Sequence, residues 1–212
     1  MNASIDISNI VLRTERLVLR PWRRSDLDDF FEYASVPGVG EMAGWGHHRS
    51  ISDTEAVLER FISGKKTFAL EYRGSEIYLD SRNWSGKVIG SLGIEKYDEA
   101  RYPDLSDLRC RELGFVLSKD YWGLGLMPEA AAEVLRYLFT ELQLDAVTCG
   151  HFLWNTQSLR VQEKCGFRHY KFDEYATQTG RIEEHECRLI TRQEWFADEN
   201  LRHSVSENGG RR

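Results

Sequence analysis

Two glycines stand at the entrance of a predicted helix. In the stretch YWGLGLMPEAAAEVLRYLF, residues 121–139, Gly123 and Gly125 follow a predicted strand and precede an amphipathic helix. The first N–H groups of a helix have no intrahelical partner and carry a partial positive charge. Glycines in front of them allow an anion to approach the backbone closely, which is typical of a phosphate site. The pair G-x-G alone is equally consistent with an ordinary strand-to-helix turn.

The common nucleotide motifs do not fit this turn. The sequence G-x-x-x-x-G-K-[ST] is absent, which disfavours a P-loop nucleotidase. A dinucleotide fold requires a third glycine in G-x-G-x-x-G, and Pro128 occupies that position. The turn also lies in the middle of the chain, whereas the dinucleotide motif belongs to an early βαβ unit. Both standard nucleotide interpretations are therefore weakened.

The elements around the turn form one domain in the order β-α-α-β-β-β-α-β-α-β-β. Hydrophobic periodicity predicts strands at 12–22, 67–72, 87–96, 112–118, 145–153 and twice within 168–191. Helices are predicted after Ser25, after a capping box formed by Ser52 and Glu55, over about 128–142, and in the middle of 155–167, where Asn155 begins the segment and Gly166 ends the helix. Between them, 36–50 carries four glycines and a proline and is predicted to be a loop.

Composition sets the class of protein. A chain of 212 residues with 41% hydrophobic and 29% charged residues is typical of one globular domain. We expect a flexible N-terminus at 1–9, a domain at 10–196 and a disordered tail at 197–212. The net charge of −6 argues against nucleic acid as the main partner. No stretch reaches the roughly 18 apolar residues of a membrane span, and the first residues lack a signal-peptide pattern, so no membrane association is expected.

The cysteine pattern gives no support for a metal. The four cysteines are widely spaced and form no C-x-x-C pair. We expect reduced thiols, a cytoplasmic location and no metal ion. His185 stands isolated among acidic residues, and we assign it no metal role.

Three segments together resemble the GNAT superfamily of N-acetyltransferases. YWGLGLMPEA is similar to the acyl-CoA loop of that superfamily, and NTQSLRVQEKCGF is similar to its later N-x-x-S…K-x-G-F segment. LRTERLVLRPW resembles the opening strand of the ribosomal-protein alanine acetyltransferase-like (Rim-type) branch. The likeness covers about residues 10–196. The family loop begins with Gln or Arg, whereas this chain has Asp120, so no side-chain contact is expected from that position.

The resemblance implies an α+β (mixed α/β) fold with a mostly antiparallel central sheet and flanking helices. Strands 112–118 and 146–153 would splay apart and hold acetyl-CoA, with the diphosphate on the glycine turn. The pantetheine arm would lie in the gap and pair with the backbone near Val116 and Leu117. The implied cofactor-binding residues are Val116, Leu117, Trp122, Gly123, Leu124, Gly125, Leu126, Met127, Asn155, Ser158 and Lys164.

The resemblance also suggests which side chains act in catalysis. Ser158 would protonate the thiolate leaving group, although it could simply bond the backbone in its helix turn. Glu112 would accept the proton of the amine, the alternative being an exposed strand-edge carboxylate, and Glu95 is a second candidate. Asn155 would cap its helix, contact pantetheine amides, or do both. Lys164 would reach a phosphate of CoA or lie on a solvated helix face.

The acceptor side is expected at the loop 41–48. Trp45 offers a flat apolar wall, and His47 and His48 offer polar tips, unless the tryptophan is only tucked into a surface loop. The predicted function is direct transfer of an acetyl group from acetyl-CoA to a primary amine, on a small molecule or a protein N-terminus. The alternatives are a non-catalytic acyl-CoA-binding module and a nucleotide-phosphate-binding protein. A monomer or a homodimer is expected.

Overall fold

The computed structural model describes residues 1–74 and 86–198. The strands of this part are β1 Leu12–Arg13, β2 Leu17–Pro21, β3 Thr67–Tyr72, β4 Val88–Glu95, β5 Cys110–Leu117, β6 Ala146–Phe152, β7 Arg168–Ala176 and β8 Ile182–Thr191. The α-helices are α1 Leu27–Ala34, α2 Ile51–Gly64, α3 Leu126–Thr140, α4 Thr156–Lys164 and α5 Arg192–Ala197. Short 3-10 turns at 24–26, 41–43, 103–105 and 119–121 connect them.

The strands described form one sheet in the order β1-β2-β3-β4-β5-β6-β8-β7. Every neighbouring pair is antiparallel except β5 and β6, which are parallel. The predicted α+β class with a mostly antiparallel sheet is therefore confirmed. The parallel pair requires a long crossover, and α3 provides it.

The parallel pair separates halfway along its length. Its register runs from Cys110 opposite Ala146 to Leu113 opposite Cys149 and stops there. From Gly114 onward, β5 and β6 have no ladder between them, so the middle of the sheet opens. The splay predicted for these two strands is confirmed, and it places exposed main-chain groups beside the glycine turn that follows β5.

Helices cover both faces of the sheet. On one face α3 packs its apolar stripe, including Leu135, Leu138 and Phe139, into the main core. On the other face α1 and α2 enclose an aromatic cluster in which the rings of Trp22 and Phe30 lie 4.8 Å apart. Side chains of a strand alternate between these faces, so each residue of β4, β5 and β6 is assigned to one side.

The N-terminal strand differs from the prediction. Instead of one strand over 12–22, β1 and β2 form a hairpin in which the Thr14 N–H donates to the Leu17 carbonyl at 3.0 Å. Alternation of apolar and polar residues is the same on both sides of such a tight turn, so the pattern could not show it. The hairpin brings Arg16, at its turn, to the start of α3.

The capping box of α2 is shifted. The helix begins at Ile51, with Ser50 accepting from the Asp53 N–H at 3.2 Å and Asp53 accepting from the Ser50 N–H at 3.0 Å. The box predicted at Ser52 and Glu55 is wrong, because a serine followed three residues later by an acid occurs twice in succession. The earlier pair, Ser50 and Asp53, caps the helix, and Asp53 also accepts a hydrogen bond from the Arg49 N–H.

The two ends of the chain compare differently with the flexible N-terminus and disordered tail that were predicted. The segment 1–9, expected to be flexible, packs on the domain: Ile7 is 1% exposed, and the Met1 ammonium group donates to the Ser106 carbonyl at 2.8 Å. The predicted tail begins at the last residue of α5, and 199–212 lie outside the described residues. Among the helices of the described part, none has the length and apolar character needed to cross a membrane.

Candidate functional site: a cavity at the splayed strands

A cavity of about 610 Å³ opens where β5 and β6 diverge. Its walls bring together most of the predicted site residues, namely Trp45, Glu95, Glu112, Val116, Leu117, Trp122, Gly123, Gly125, Leu126, Met127, Asn155, Ser158 and Lys164. Three predicted residues, Leu124, His47 and His48, do not line it. The cavity therefore joins the glycine turn, α4 and the loop before α2 in one continuous space.

The glycine turn has the conformation that its residue types require. Gly123 and Gly125 have φ of +77° and +75°, in the left-handed region that favours glycine. Gly125 is the N-cap of α3, so the N–H groups of Leu126 and Met127 begin the helix without intrahelical acceptors. These amides line the cavity at the positive end of the helix dipole. The turn therefore presents donors to an anion.

Trp122 fixes the turn to the end of β5. Its indole Nε1 donates to the Leu117 carbonyl at 2.8 Å, and the Lys119 ammonium lies 5.7 Å from the ring centroid. The side chain therefore acts as a brace between strand and turn, while its ring also lines the cavity. A direct cofactor contact from Trp122 stays a prediction.

The main-chain groups that face the gap belong to Leu117 and Phe115. In β4 the Ile94 N–H donates to the Lys66 carbonyl, on the side of β3. Because backbone groups alternate in direction along a strand, the N–H and C=O groups of Ser91, Gly93 and Glu95 point to the other side, toward β5. Their register partners 116, 114 and 112 are thereby paired with β4. Val116 therefore contributes its side chain to the cavity, but its backbone is paired with β4 and cannot pair with pantetheine as predicted. The backbone groups that face the gap are those of its neighbours Phe115 and Leu117. Phe115 was not predicted as a site residue, because strand registry is not visible in one sequence.

Ser158 lies in the first turn of α4 with its hydroxyl oriented by a buried glutamine. Gln162, one turn later, donates through Nε2 to Ser158 Oγ at 3.0 Å and to the Gly150 carbonyl at 3.1 Å. The serine oxygen thus accepts a hydrogen bond, and its own O–H remains available to donate. The sequence-based alternative, that the hydroxyl merely bonds the backbone, does not describe this arrangement.

Asn155 connects the helix of the serine to the loop before α2. Its Oδ1 accepts from the Ser158 N–H at 3.1 Å, which is the predicted N-cap, and its Nδ2 donates to the Met42 carbonyl at 3.0 Å. The residue is 4% exposed. A direct contact with pantetheine stays a prediction, whereas the structure assigns the amide group to holding α4 and the loop together.

Glu112 lies inside the sheet and not at an exposed edge. It stands in β5 between Glu95 of β4 and Thr148 of β6, whose hydroxyl is 3.4 Å from its Oε2. Burial raises the pKa of Glu112 to about 7, against the opposing effect of the nearby Arg101 cation. The carboxyl group retains access to the cavity and can accept a proton near neutral pH.

Glu95 is a weaker candidate for the same task. Its carboxylate forms an ion pair with Lys66, although both side chains are more than one third exposed. The lysine ammonium thus already occupies a carboxylate oxygen of Glu95. The structure therefore favours Glu112 over Glu95 as the base.

The part of the cavity beside Glu112 has a floor of small residues and walls of aromatic rings. Gly93, Gly114 and Gly150 lie on the face of the sheet that carries Glu112. A side chain at Gly114 would meet nothing within 4 Å, whereas one at Gly150 would overlap the ring of His185. The aromatic walls are Trp45, Phe152 and Tyr175.

The histidines of the loop are not where they were expected. His47 is bonded to Glu41, with 2.8 Å between Nδ1 and Oε1, and it does not line the cavity. His48 is buried and lies 2.8 Å from the Thr54 hydroxyl through Nδ1. The polar tips predicted for both are therefore wrong. His185 takes their place, and burial, aided by the Arg101 cation, lowers its pKa to about 4, so it is neutral at pH 7.

Two cations of α4 line the cavity. Lys164 was predicted, whereas Arg160, one turn earlier on the same helix, was missed. Their spacing of four residues places them on one helix face, and this spacing was the signal that could have found Arg160. Within residues 1–74 and 86–198, no group of His, Cys, Asp and Glu is arranged to hold a metal ion.

Comparison with known proteins gives the class of protein to which this fold and cavity belong. A family model described as "Acetyltransferase (GNAT) domain" matches residues 16–168. The chain belongs to the GNAT family of acetyl-CoA-dependent N-acetyltransferases and is an acyltransferase. The family predicted from the three sequence segments is confirmed.

Two curated relatives illustrate the range of the family. An FsC-acetyl coenzyme A-N(2)-transacetylase of Aspergillus fumigatus is 41% identical over 88 residues, which cover 40% of this chain and 37% of the relative. The chain thus spans just over a third of that relative. YdaF of Bacillus subtilis, named as a candidate ribosomal N-acetyltransferase, is 26% identical over 84 residues, 40% of this chain and 42% of the relative. Such a relative is consistent with the Rim-type branch.

Solved structures share the fold. A GNAT-family acetyltransferase from Bacillus anthracis superposes with a TM-score of 0.71 at 22% identity, over 87% of this chain and 99% of that one. A spermidine N-acetyltransferase from Vibrio cholerae, solved with CoA and spermine, gives a TM-score of 0.64 at 16% identity, over 85% and 98%. At these identities the likeness concerns the fold.

Proposed function

We propose that this protein transfers the acetyl group of acetyl-CoA to a primary amine by direct attack of the amine on the thioester. The observation that carries the proposal is that one cavity joins a phosphate-type turn, the Ser158 hydroxyl and the Glu112 carboxyl. A cofactor lying in the gap between β5 and β6 would reach both groups. No covalent bond to the enzyme is required, because the amine itself is the nucleophile.

The cofactor end of the cavity suits coenzyme A. The amides of the glycine turn and the helix dipole would hold the diphosphate. Arg160 and Lys164 supply the cationic groups that further phosphate oxygens require. The gap-facing groups of Phe115 and the N–H of Leu117 would pair with the amides of the pantetheine arm, since the Leu117 carbonyl already accepts from Trp122.

Glu112 is the proposed base. An amine attacks only in its neutral form, so a nearby group must accept its proton. A carboxyl group with a pKa of about 7 is ionised for part of the time at neutral pH and binds a proton readily. Its position on the glycine-floored face of the sheet supports a role on the acceptor side.

Ser158 is the proposed acid. Its O–H is directed by the bond that its oxygen accepts from Gln162. A hydrogen bond from that O–H would stabilise the sulfur of coenzyme A as the C–S bond breaks, the thiol having a pKa of roughly 8.5. If the proton passes to the sulfur, the serine regains one from solvent, to which Glu112 gives up the proton that it took from the amine. Acid and base thus stand on different elements, α4 and β5, on opposite sides of the gap.

The acceptor would be a primary amine, on a small molecule or at the N-terminus of a protein. The aromatic walls and the glycine floor leave room for the carbon attached to the amine, and within the described lining the acidic residues are Glu95 and Glu112. We also expect a monomer or a homodimer in the cytoplasm, in line with four free, buried cysteines.

Gly114→Leu tests the acceptor chamber. The added side chain enters open space in the cavity and not packed protein, so the fold should tolerate it. We expect kcat/KM for the amine to fall about tenfold or more, because the amine can no longer take its reactive position. Calorimetry should show CoA affinity within about twofold of wild type, and Gly114→Ala should give a smaller loss. Full activity of the leucine variant would contradict this location of the acceptor.

The function itself is tested by a screen of peptides and small amines. Thiol release from acetyl-CoA is followed spectroscopically, and acetylated products are identified by mass spectrometry. We expect amine-dependent thiol release with at least one acceptor class, together with CoA binding. CoA binding without release across the whole panel would support the non-catalytic module. Binding of ATP or NAD without binding of CoA would contradict the proposal altogether.

A further inference from the structure

The turn of the β1–β2 hairpin clamps the glycine turn from outside the cavity. Arg16 donates through Nη1 to the Leu124 carbonyl at 2.8 Å and through Nε to Glu129 Oε2 at 2.7 Å. The backbone N–H of Arg16 also donates to Glu129 Oε1 at 2.9 Å, and Thr14 bonds the same carboxylate oxygen. The guanidinium is therefore fixed to the first turn of α3 and to the carbonyl between the two glycines.

The carbonyl that Arg16 holds determines where an amide points. The Leu124–Gly125 peptide bond is trans, so its carbonyl and its N–H point in opposite directions. With the carbonyl on the side of Arg16, the Gly125 N–H is directed away from that side. Gly125 lines the cavity and Arg16 does not. Among the described residues, the Gly125 N–H has no hydrogen-bond acceptor.

The glycines alone would not fix this orientation. Gly123 and Gly125 lack side chains and can occupy positive and negative φ about equally well. The intervening peptide planes could therefore rotate, and the amides would then need to be reordered at every binding event. Bonding of the Leu124 carbonyl to Arg16 removes this freedom, and pre-ordered donors bind more tightly.

We propose that Arg16 is a positioning residue for the diphosphate of coenzyme A, acting through the peptide that follows Leu124. The inference rests on the proposed function, in which the diphosphate occupies the glycine turn. Direct contact with a phosphate is not part of it, since the Glu129 carboxylate already balances the charge of Arg16, with 2.6 Å between Nη2 and Oε2. The effect of Arg16 is thus specific to the half of the cofactor that carries phosphate.

Arg16→Met is tested with two acetyl donors, acetyl-CoA and S-acetylpantetheine, of which the second lacks the diphosphate. We expect kcat/KM for acetyl-CoA to fall about tenfold, the size expected when a hydrogen-bond donor to a charged ligand is lost. The value for S-acetylpantetheine should remain within about twofold of wild type. An equal fall with both donors would show a general structural role and overturn the proposal, as would no fall with either.

Two matched variants separate positioning from charge. Arg16→Met combined with Glu129→Met removes the carboxylate left without its partner, and it should keep the selective defect because the Leu124 carbonyl is still unheld. Arg24→Met removes an exposed arginine that pairs with Glu59, and both donors should react as in wild type. A double variant with normal use of acetyl-CoA would overturn the proposal.

The wild-type protein distinguishes failure of this inference from failure of the proposed function. If wild type strongly prefers acetyl-CoA over S-acetylpantetheine and Arg16→Met shows the same preference, only the role of Arg16 is contradicted. A wild type that uses the two donors equally shows that the diphosphate contributes nothing, and then the phosphate cradle itself is wrong. Should Arg16→Met fail to fold, Arg16→Lys preserves a positive charge but cannot bridge Glu129 and Leu124 in the same way, and the same selective loss is expected.

Discussion

Replacement of Ser158 by alanine should lower kcat about 100-fold or more and leave CoA affinity within about threefold of wild type. A positioned proton donor typically contributes factors of 10² to 10⁴ to a rate. The variant retains the α4 cap, because the cap uses the backbone N–H of residue 158 and the side chain of Asn155. Steady-state kinetics with saturating acetyl-CoA, together with calorimetric titration of CoA, measure the two quantities separately.

Thr156→Ala is the matched control. It removes a hydroxyl from the same helix turn, but Thr156 is exposed and does not line the cavity. Its kcat should match that of wild type. A Ser158→Ala variant that turns over as fast as this control would remove the serine from the mechanism.

Glu112→Gln should lower kcat/KM for the amine about 100-fold and abolish the acidic limb of the pH profile. In wild type, kcat/KM should rise with pH through about 7, because the base acts only after losing its proton. Glutamine has a similar shape but accepts no proton, so the variant should show no rise near that pH. An unchanged limb in the variant would assign the ionisation to another group.

The same substitution, although it lowers activity, should raise the stability of the fold above neutral pH. The pKa of Glu112 rises from 4.5 to about 7 on folding, so the folded state holds the proton more tightly than the unfolded state. The contribution of Glu112 to the free energy of unfolding therefore falls as pH rises from about 4.5 to 7. Glu112→Gln escapes this penalty and should be more stable than wild type at pH 8, by up to about 3 kcal/mol, with little difference near pH 4.5. Urea unfolding at both pH values measures it, and a variant that is less stable at pH 8 would contradict the burial of this carboxyl.

The order of the elements was predictable from the sequence because periodicity is a local property. The strands at 67–72 and 145–153 and the helix at 128–142 were each located to within about two residues. Two errors had local causes. The spacing of a capping box occurs twice before α2, and the apolar–polar alternation continues unchanged through the hairpin turn between β1 and β2. The short α5 was missed although Thr191 and Glu194 form a capping box before it.

The phosphate turn was predictable for the same reason. Gly123, Gly125 and the start of α3 are adjacent in sequence, and their conformation follows from residue type. The acceptor side was not predictable in this way. Phe152, Tyr175 and His185 reach it from separate strands, and only the pairing of β6, β7 and β8 brings them together. His47 was misplaced because nothing local indicates that Glu41 would hold it.

The position of Arg16 shows how tertiary contacts complete a local motif. The resemblance of LRTERLVLRPW to an opening strand identified the segment but gave its arginine no task. The task follows from the contact with Leu124, a residue more than 100 positions away. Sequence proximity therefore located the turn, and long-range packing explains how its peptides are held.

The most direct measurement of the central claim is CoA binding to Gly123→Ala beside Gly180→Ala. Both glycines have positive φ, +77° and +81°, and an added Cβ meets no atom within 4 Å at either position, so the two substitutions cost the fold about the same. Gly180 lies in the β7–β8 turn and does not line the cavity. Isothermal calorimetry should show CoA affinity reduced about tenfold in Gly123→Ala and unchanged in Gly180→Ala. Equal affinities in the two variants would contradict the conclusion that the glycine turn holds the diphosphate.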